Sequence, residues 1–522
     1  MLPSDNSGMN TSNAQCKRLN KITSTISRRT LLQRGVLSTL GFSVPLLYQQ
    51  SATSRNMENF NGNSLLQLSL GETANHLRSG DLSARDLAEA VITAARQYSD
   101  LNAYTTFVAD RLRSSAIEAD SARNRGDKIG LLHGVPVILK DNINTATLPT
   151  SGGTPGLINN RPGDDAPVAA RLFAGGALLA GKANLHELSS GGTSNNHTFG
   201  AVGNPYDMTR IPGGSSGGTA AAVAAHLVPG GLGTDTGGSV RVPAALCGVA
   251  GLRPTTGRYP TAGIVPLSST MDTAGPIARN ITDVALMDAV ITEEFKDLVS
   301  PLPASLRMGV PYDSLMKATG NDVKSVIDKA LDTLQAAGIT LVPVKLTEIK
   351  ALTTRAFGAL IGYEFRHAMT DYLELFAPGL TVDELSEQIA SPSTKKMLQG
   401  KTGRTINKDF YQEVLNEHLP HLKQMHVRLF EHHRIDALIF PTTPEVALPR
   451  AEDDSVYRDG KPAFSWFYFS NTVLASVAGN PSLTIPAGLS AEGMPAGISI
   501  DGLPGADRKI LAIGQLVERL LA

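Results

Sequence analysis

The chain has 522 residues, 42% hydrophobic and 18% charged, with 47 Lys plus Arg against 48 Asp plus Glu. That balance excludes the low-hydrophobicity, high-charge composition of a disordered chain and leaves no basic excess for a nucleic-acid surface. Its two cysteines, Cys16 in a polar tail and Cys247 in the apolar run 244–249, exclude a disulfide framework and a cysteine zinc site.

Residues 1–50 read as an export leader. The run Ser27-Arg28-Arg29-Thr30-Leu31-Leu32-Gln33 resembles a twin-arginine motif, and an apolar run at 36–47 follows it, broken by Gly41 and Pro45. That run is too short and too interrupted to span a bilayer as a mature helix. The expectation is export to the periplasm, with a cytoplasmic location as the alternative and leader cleavage left open. Residues 51–63 are polar and read as a linker, and 64–522 as the catalytic domain. No other stretch is apolar and long enough to be a membrane span.

From Ser64 the pattern turns helical. Ser69 or Glu72 is placed to open one helix, and Ser83-Ala84-Arg85-Asp86 caps a second that carries Leu87, Val91 and Ile92 on one face. A third amphipathic helix is expected from about Phe107 to Arg123. The run Val135-Pro136-Val137-Ile138-Leu139-Lys140 then reads as a short buried strand ending in a lysine. Glycines cluster between Gly134 and Gly275, which marks special backbone geometry there. Helices and short apolar strands alternate to Asp288, the pattern of an α/β fold. Residues 290–435 are more charged and helical in period, and read as helices covering one side of the core. Core texture returns at Ala437-Leu438-Ile439-Phe440 and Leu483-Thr484-Ile485, both read as strands, and 510–521 reads as a closing helix.

Several short patterns invite chemistry that their surroundings do not support. Gly213-Gly214-Ser215-Ser216-Gly217 matches the G-x-S-x-G elbow, but that turn needs an apolar strand before it, and 206–212 is polar and ends in proline. Asp235-Thr236-Gly237 matches the aspartic-protease triplet, yet no second D-T-G or D-S-G supplies the partner carboxylate. The glycine runs lack the Gly-Lys-Ser/Thr of a phosphate loop. His418, His421, His426, His432 and His433 crowd one helical stretch without H-E-x-x-H, and read as a solvated face. His133 and His186 lie near the glycine-rich core with no neighbouring signature.

Taken together, the patterns agree. Lys140 is followed by Asp141-Asn142. Ser215 lies in Gly213-Gly214-Ser215-Ser216-Gly217-Gly218, 75 residues on, and Ser239 lies in Gly233-Thr234-Asp235-Thr236-Gly237-Gly238-Ser239, 24 further. This arrangement resembles the amidase signature family, with its lysine in K-D-N, its serine in G-G-S-S-G-G and its nucleophile in D-x-G-G-S. The likeness continues through 247–255, Pro441-Thr442-Thr443-Pro444 and 481–488, and covers roughly 65–520.

The resemblance implies a single α/β/α domain around a central mixed sheet with helical covering segments and no cofactor or metal. It implies a Ser-Ser-Lys relay in which Ser239 attacks, Ser215 carries the proton and Lys140 accepts it. It also implies a cis Gly214–Ser215 peptide and an oxyanion hole from the N–H groups of Thr236, Gly237, Gly238 and Ser239. Amide hydrolysis needs these roles, because the nucleophile must lose a proton and the leaving nitrogen must gain one. A lysine accepts a proton only when neutral, which burial favours. Asp235 and Arg241 flank the loop and are expected to hold it by hydrogen bonds.

Arg253-Pro254-Thr255-Thr256-Gly257-Arg258 followed by Gly263-Ile264-Val265-Pro266 is most similar to the indoleacetamide and mandelamide hydrolase branch. The expected partner is therefore a small, aryl or apolar amide and no nucleic acid. The expected acyl pocket draws on Val242, Phe357, Tyr363 and Phe365. A carbamate hydrolase, an amidotransferase-like subunit and an exported, non-enzymatic binding protein are the alternatives. The sequence leaves the oligomeric state open, a homodimer being one option.

Overall fold

The computed structural model describes residues 64–401 and 406–522, so the leader and linker assigned to 1–63 lie outside the described residues. The first helices follow local chemistry. Helix α1, Leu70–Ser79, opens on a capping box in which Ser69 Oγ accepts from the Glu72 amide and Glu72 returns to the Ser69 amide. Helix α2, Ala84–Gln97, is capped by Ser83 and buries Leu87, Val91 and Ile92. Helix α3 runs Ala109–Arg125 and ends at Gly126 in the left-handed conformation.

One 11-stranded mixed sheet organises the rest. Its strands are β1 (Tyr104–Thr106), β2 (Pro136–Lys140), β3 (Leu178–Ala183), β4 (Gly230–Asp235), β5 (Ala250–Arg253), β6 (Thr273–Ala278), β7 (Arg307–Val310), β8 (Thr340–Pro343), β9 (Ala437–Pro441), β10 (Ser482–Leu489) and β11 (Pro495–Asp501). They lie in the order β1-β3-β2-β4-β6-β5-β10-β11-β9-β7-β8. β2 is parallel to β3 and β4, whereas β4 is antiparallel to β6. Helices flank the sheet, which matches the α/β expectation. Among the described residues no helix is long and apolar enough to cross a membrane.

The segment 290–435 departs from the expected purely helical cover. It contributes β7 and β8, which pair in parallel with each other, and β7 also pairs in parallel with β9. The helices there include the long Thr347–Phe376. The histidine-rich stretch is also not uniformly solvated. His426 is buried, its Nδ1 is 3.1 Å from the Leu422 carbonyl, and burial pushes its pKa down to about 4.

Small residues bring the future site together. Helix α4, Gly217–Ala224, is wholly buried and built of Gly, Ala, Thr and Val. A Cβ on Gly233 of β4 would lie 2.7 Å from Ser216 Oγ, so only glycine lets the segment entering α4 sit this close to the strand.

Candidate active site

Lys140 ends β2, a five-residue strand buried throughout, and its own side chain is fully buried. Its Nζ lies 2.7 Å from Ser215 Oγ and 2.7 Å from Thr234 Oγ1. Asn142 Nδ2 also donates to Thr234 Oγ1, at 3.0 Å, which fixes that hydroxyl from a second side. Burial pushes the Lys140 pKa down to about 7, although the charges of Asp272 and Asp235 oppose the shift. The amine is therefore partly neutral near pH 7 and able to take a proton. Neighbouring Asp141 pairs instead with Lys182, at 3.1 Å in a buried ion pair, and accepts from Ser151 and Thr105.

Ser215 follows a cis Gly214–Ser215 peptide bond, as the family resemblance implies. Its loop abuts the Ser239 loop directly, because the Ser216 amide donates to the Ser239 carbonyl at 3.2 Å. Ser239 stands just before helix α5, Arg241–Leu246, and lines a narrow cleft with Thr236, Gly237, Ser190, Phe357 and Trp466. Among the described residues nothing hydrogen-bonds the Ser239 hydroxyl. The N–H groups of Thr236, Gly237, Gly238 and Ser239 likewise donate to no partner among the described residues. Gly238 has φ +141°, a conformation glycine adopts without strain, and Thr472 Oγ1 donates to the Gly237 carbonyl at 2.6 Å.

Asp235 and Arg241 meet as expected, and more extensively. Arg241 Nε and Nη2 donate to the two Asp235 carboxylate oxygens at 3.0 and 2.9 Å. Its Nη1 donates to the Thr472 carbonyl, which ties the Ser239 loop to the 465–478 region. Arg253, not assigned a role from sequence, donates to the Asp235 carbonyl at 2.6 Å and to its Oδ1 at 3.0 Å. An arginine closing the buried strand β5 was the available signal, since a buried cation demands a partner.

The walls of the cleft differ from those expected of the acyl pocket. Val242 faces the core with Ile211 and Leu246 and does not line the cleft. Phe365 is buried, and Tyr363 stacks on Tyr411 and His367. Of the expected aromatics only Phe357 lines the cleft, where it is joined by Trp466 and Phe469. Beyond Ser190 and Trp466 the cleft continues into a chamber of about 820 Å³.

The fold agrees with comparisons to known proteins. An indoleacetamide hydrolase of Rhizobium radiobacter is 40% identical over 456 residues, covering 87% of this chain and 97% of that one. A mandelamide hydrolase of Pseudomonas putida is 36% identical over 477 residues, covering 88% and 92%. A crystal structure of an amidase superposes with TM-score 0.77 at 29% identity, covering 87% of this chain and all of that one. The family model described as Amidase matches residues 86–511. The chain thus belongs to the amidase family and is a hydrolase of non-peptide carbon–nitrogen bonds.

Proposed function

We propose that this enzyme hydrolyses small aryl or apolar primary amides to acid and ammonia through an acyl-Ser239 intermediate. The observation that carries the mechanism is the fully buried Lys140 amine within hydrogen-bond reach of Ser215. Ser239 Oγ attacks the carbonyl carbon as its proton passes to Ser215, whose own proton passes to Lys140 Nζ. The carbonyl oxygen gathers negative charge, and the N–H groups of residues 236–239, unclaimed among the described residues, are the donors available to meet it. Return of the proton through Ser215 to the nitrogen lets the C–N bond break and ammonia leave. Water then attacks the acyl-Ser239 ester along the same relay and releases the acid.

The apolar preference is supported by Phe357, Trp466 and Phe469 around Ser239 and by the named activities of the relatives. The expected result is kcat/KM for phenylacetamide and indole-3-acetamide above that for glutamine. Apolar pockets separate apolar ligands by only roughly 1–3 kcal/mol per methylene-sized change, so several aryl amides should fall within about two orders of magnitude of one another. Glutamine turned over as well as the aryl amides would refute the apolar pocket and favour an amidotransferase-like activity.

Twin-arginine export is proposed alongside, on the sequence of residues 27–33. Changing Arg28→Lys together with Arg29→Lys should retain the protein in the cytoplasm, because a receptor reads the motif and not its charge. Unchanged cell fractionation would reject export and leave the catalytic reading intact.

A further inference from the structure

The chamber behind the cleft is much larger than a simple aryl acetamide requires, and its construction says what else it holds. One face of the helix Thr347–Phe376 supplies Arg355, Gly358, Ala359 and Gly362, spaced so that they line up along the chamber. Gly358 leaves part of this face without side-chain bulk, whereas Ile406 packs against Gly362, where a Cβ would lie 2.9 Å from it. A Cβ on Gly358 would meet nothing within 4 Å. Aromatic planes line the chamber as well. Phe464 stacks on Trp466 with centroids 6.0 Å apart and 7° between planes, and Trp466 also borders the Ser239 cleft.

Arg355 is the one charged side chain lining the chamber among the described residues. Its guanidinium sits 5.1 Å from the Phe410 ring centroid, which orients it without consuming its N–H donors. No acceptor among the described residues hydrogen-bonds it. Glu413 Oε1 approaches only to 3.8 Å, with both side chains substantially exposed, and the same oxygen lies 3.0 Å from His418 Nε2. Such a contact is weak. A guanidinium with free donors at the wall of an apolar, aromatic chamber is suited to a planar anion held in bidentate fashion.

We infer that the chamber is an extended acyl subsite, in which Arg355 recognises a carboxylate at the far end of an otherwise apolar amide substrate. This rests on the amidase reading above: the amide end reacts at Ser239, the aryl or alkyl body lies on Trp466 and Phe464, and the distal carboxylate meets Arg355.

The test uses ω-phenylalkanamides of increasing spacer length, each made with a para-carboxylate and with a para-methyl group. At the fitting length, wild-type kcat/KM should favour the carboxylate about tenfold, the range of one partly solvated charge-assisted pair. Arg355→Met should erase that preference and Arg355→Lys should keep part of it. Gly358→Leu, which fills open space, should weaken binding of the long amides with either tail. The same pair of ligands is titrated calorimetrically into Ser239→Ala protein, with and without Arg355→Met, to read affinity apart from turnover. Preference for the methyl tail at every length, or a carboxylate preference that survives Arg355→Met, overturns the subsite. Failure of wild-type enzyme to hydrolyse phenylacetamide would instead strike the aryl-amide reading, and calorimetry would still decide the role of Arg355.

Discussion

Ser239→Ala is expected to lower kcat by on the order of 10⁴-fold or more, with Lys140→Ala equally severe and Ser215→Ala close behind. In the proposed relay each removes one member of a single proton path, so a double variant should lose little more than the worse single one. The pH profile tests the same path. Burial sets the Lys140 pKa at about 7 in the free enzyme, and only the neutral amine can accept the proton. Thus kcat/KM should climb as pH rises through about 7 and level off above it. Lys140→Ala should lose that limb along with its activity. Chelator should leave the rate unchanged, because no step of the relay calls on a metal. Full activity in Ser239→Ala, a limb surviving in Lys140→Ala, or inactivation by chelator would each refute the relay.

What the sequence disclosed depended on how local the information was. Strand β2 was legible because five consecutive buried residues end in a lysine, and α1 and α2 because Ser69, Glu72 and Ser83 write their caps into the chain. Lys140, Ser215 and Ser239 were legible as short motifs, and the structure brings their segments together. Strands β7 and β8 escaped notice because each has four residues, too few for a period, and they pair with each other across an intervening helix. The role of Arg253 was hidden because its partner, Asp235, is 18 residues away.

Val242 was misplaced for a different reason. Its nearness to Ser239 in sequence suggested a pocket wall, but helix α5 begins at Arg241 and turns Val242 into the core. The residues that do wall the cleft and chamber, Phe464, Trp466 and Phe469, come from a strand end and a 3₁₀ segment at Ser465–Ser470. Such a segment has no amphipathic period to reveal which side chains face inward.

Asp235→Ala is expected to destabilise the protein by about 3–5 kcal/mol, the cost of leaving buried charge without its partner. Asp235 carries two buried guanidinium groups, Arg241 and Arg253, at 2.9 and 3.0 Å, and all three side chains are fully buried. Burial alone would raise the carboxyl pKa, yet the two arginines outweigh it and hold the group well below the usual carboxylate range. The sign follows. A lowered folded-state pKa contributes stability above the unfolded value of about 4, and that contribution is lost as pH falls further. Wild type should therefore lose stability below about pH 4 more steeply than Asp235→Ala does. Asp235→Asn keeps an acceptor but not the charge, so it should fall between the two. Denaturant unfolding followed by circular dichroism at several pH values reads all of this, and an Asp235→Ala midpoint equal to wild type would refute the account. The same variants should also lose activity while still folded. Asp235 ends β4 and accepts from the Val240 amide at 3.3 Å, so the loop that presents Ser239 is strung between that carboxylate and Arg241. A buried ion cluster is a weak way to stabilise a fold compared with apolar packing. Its place here follows from position: Asp235 and Arg241 bracket residues 236–239, whose N–H groups meet no acceptor among the described residues.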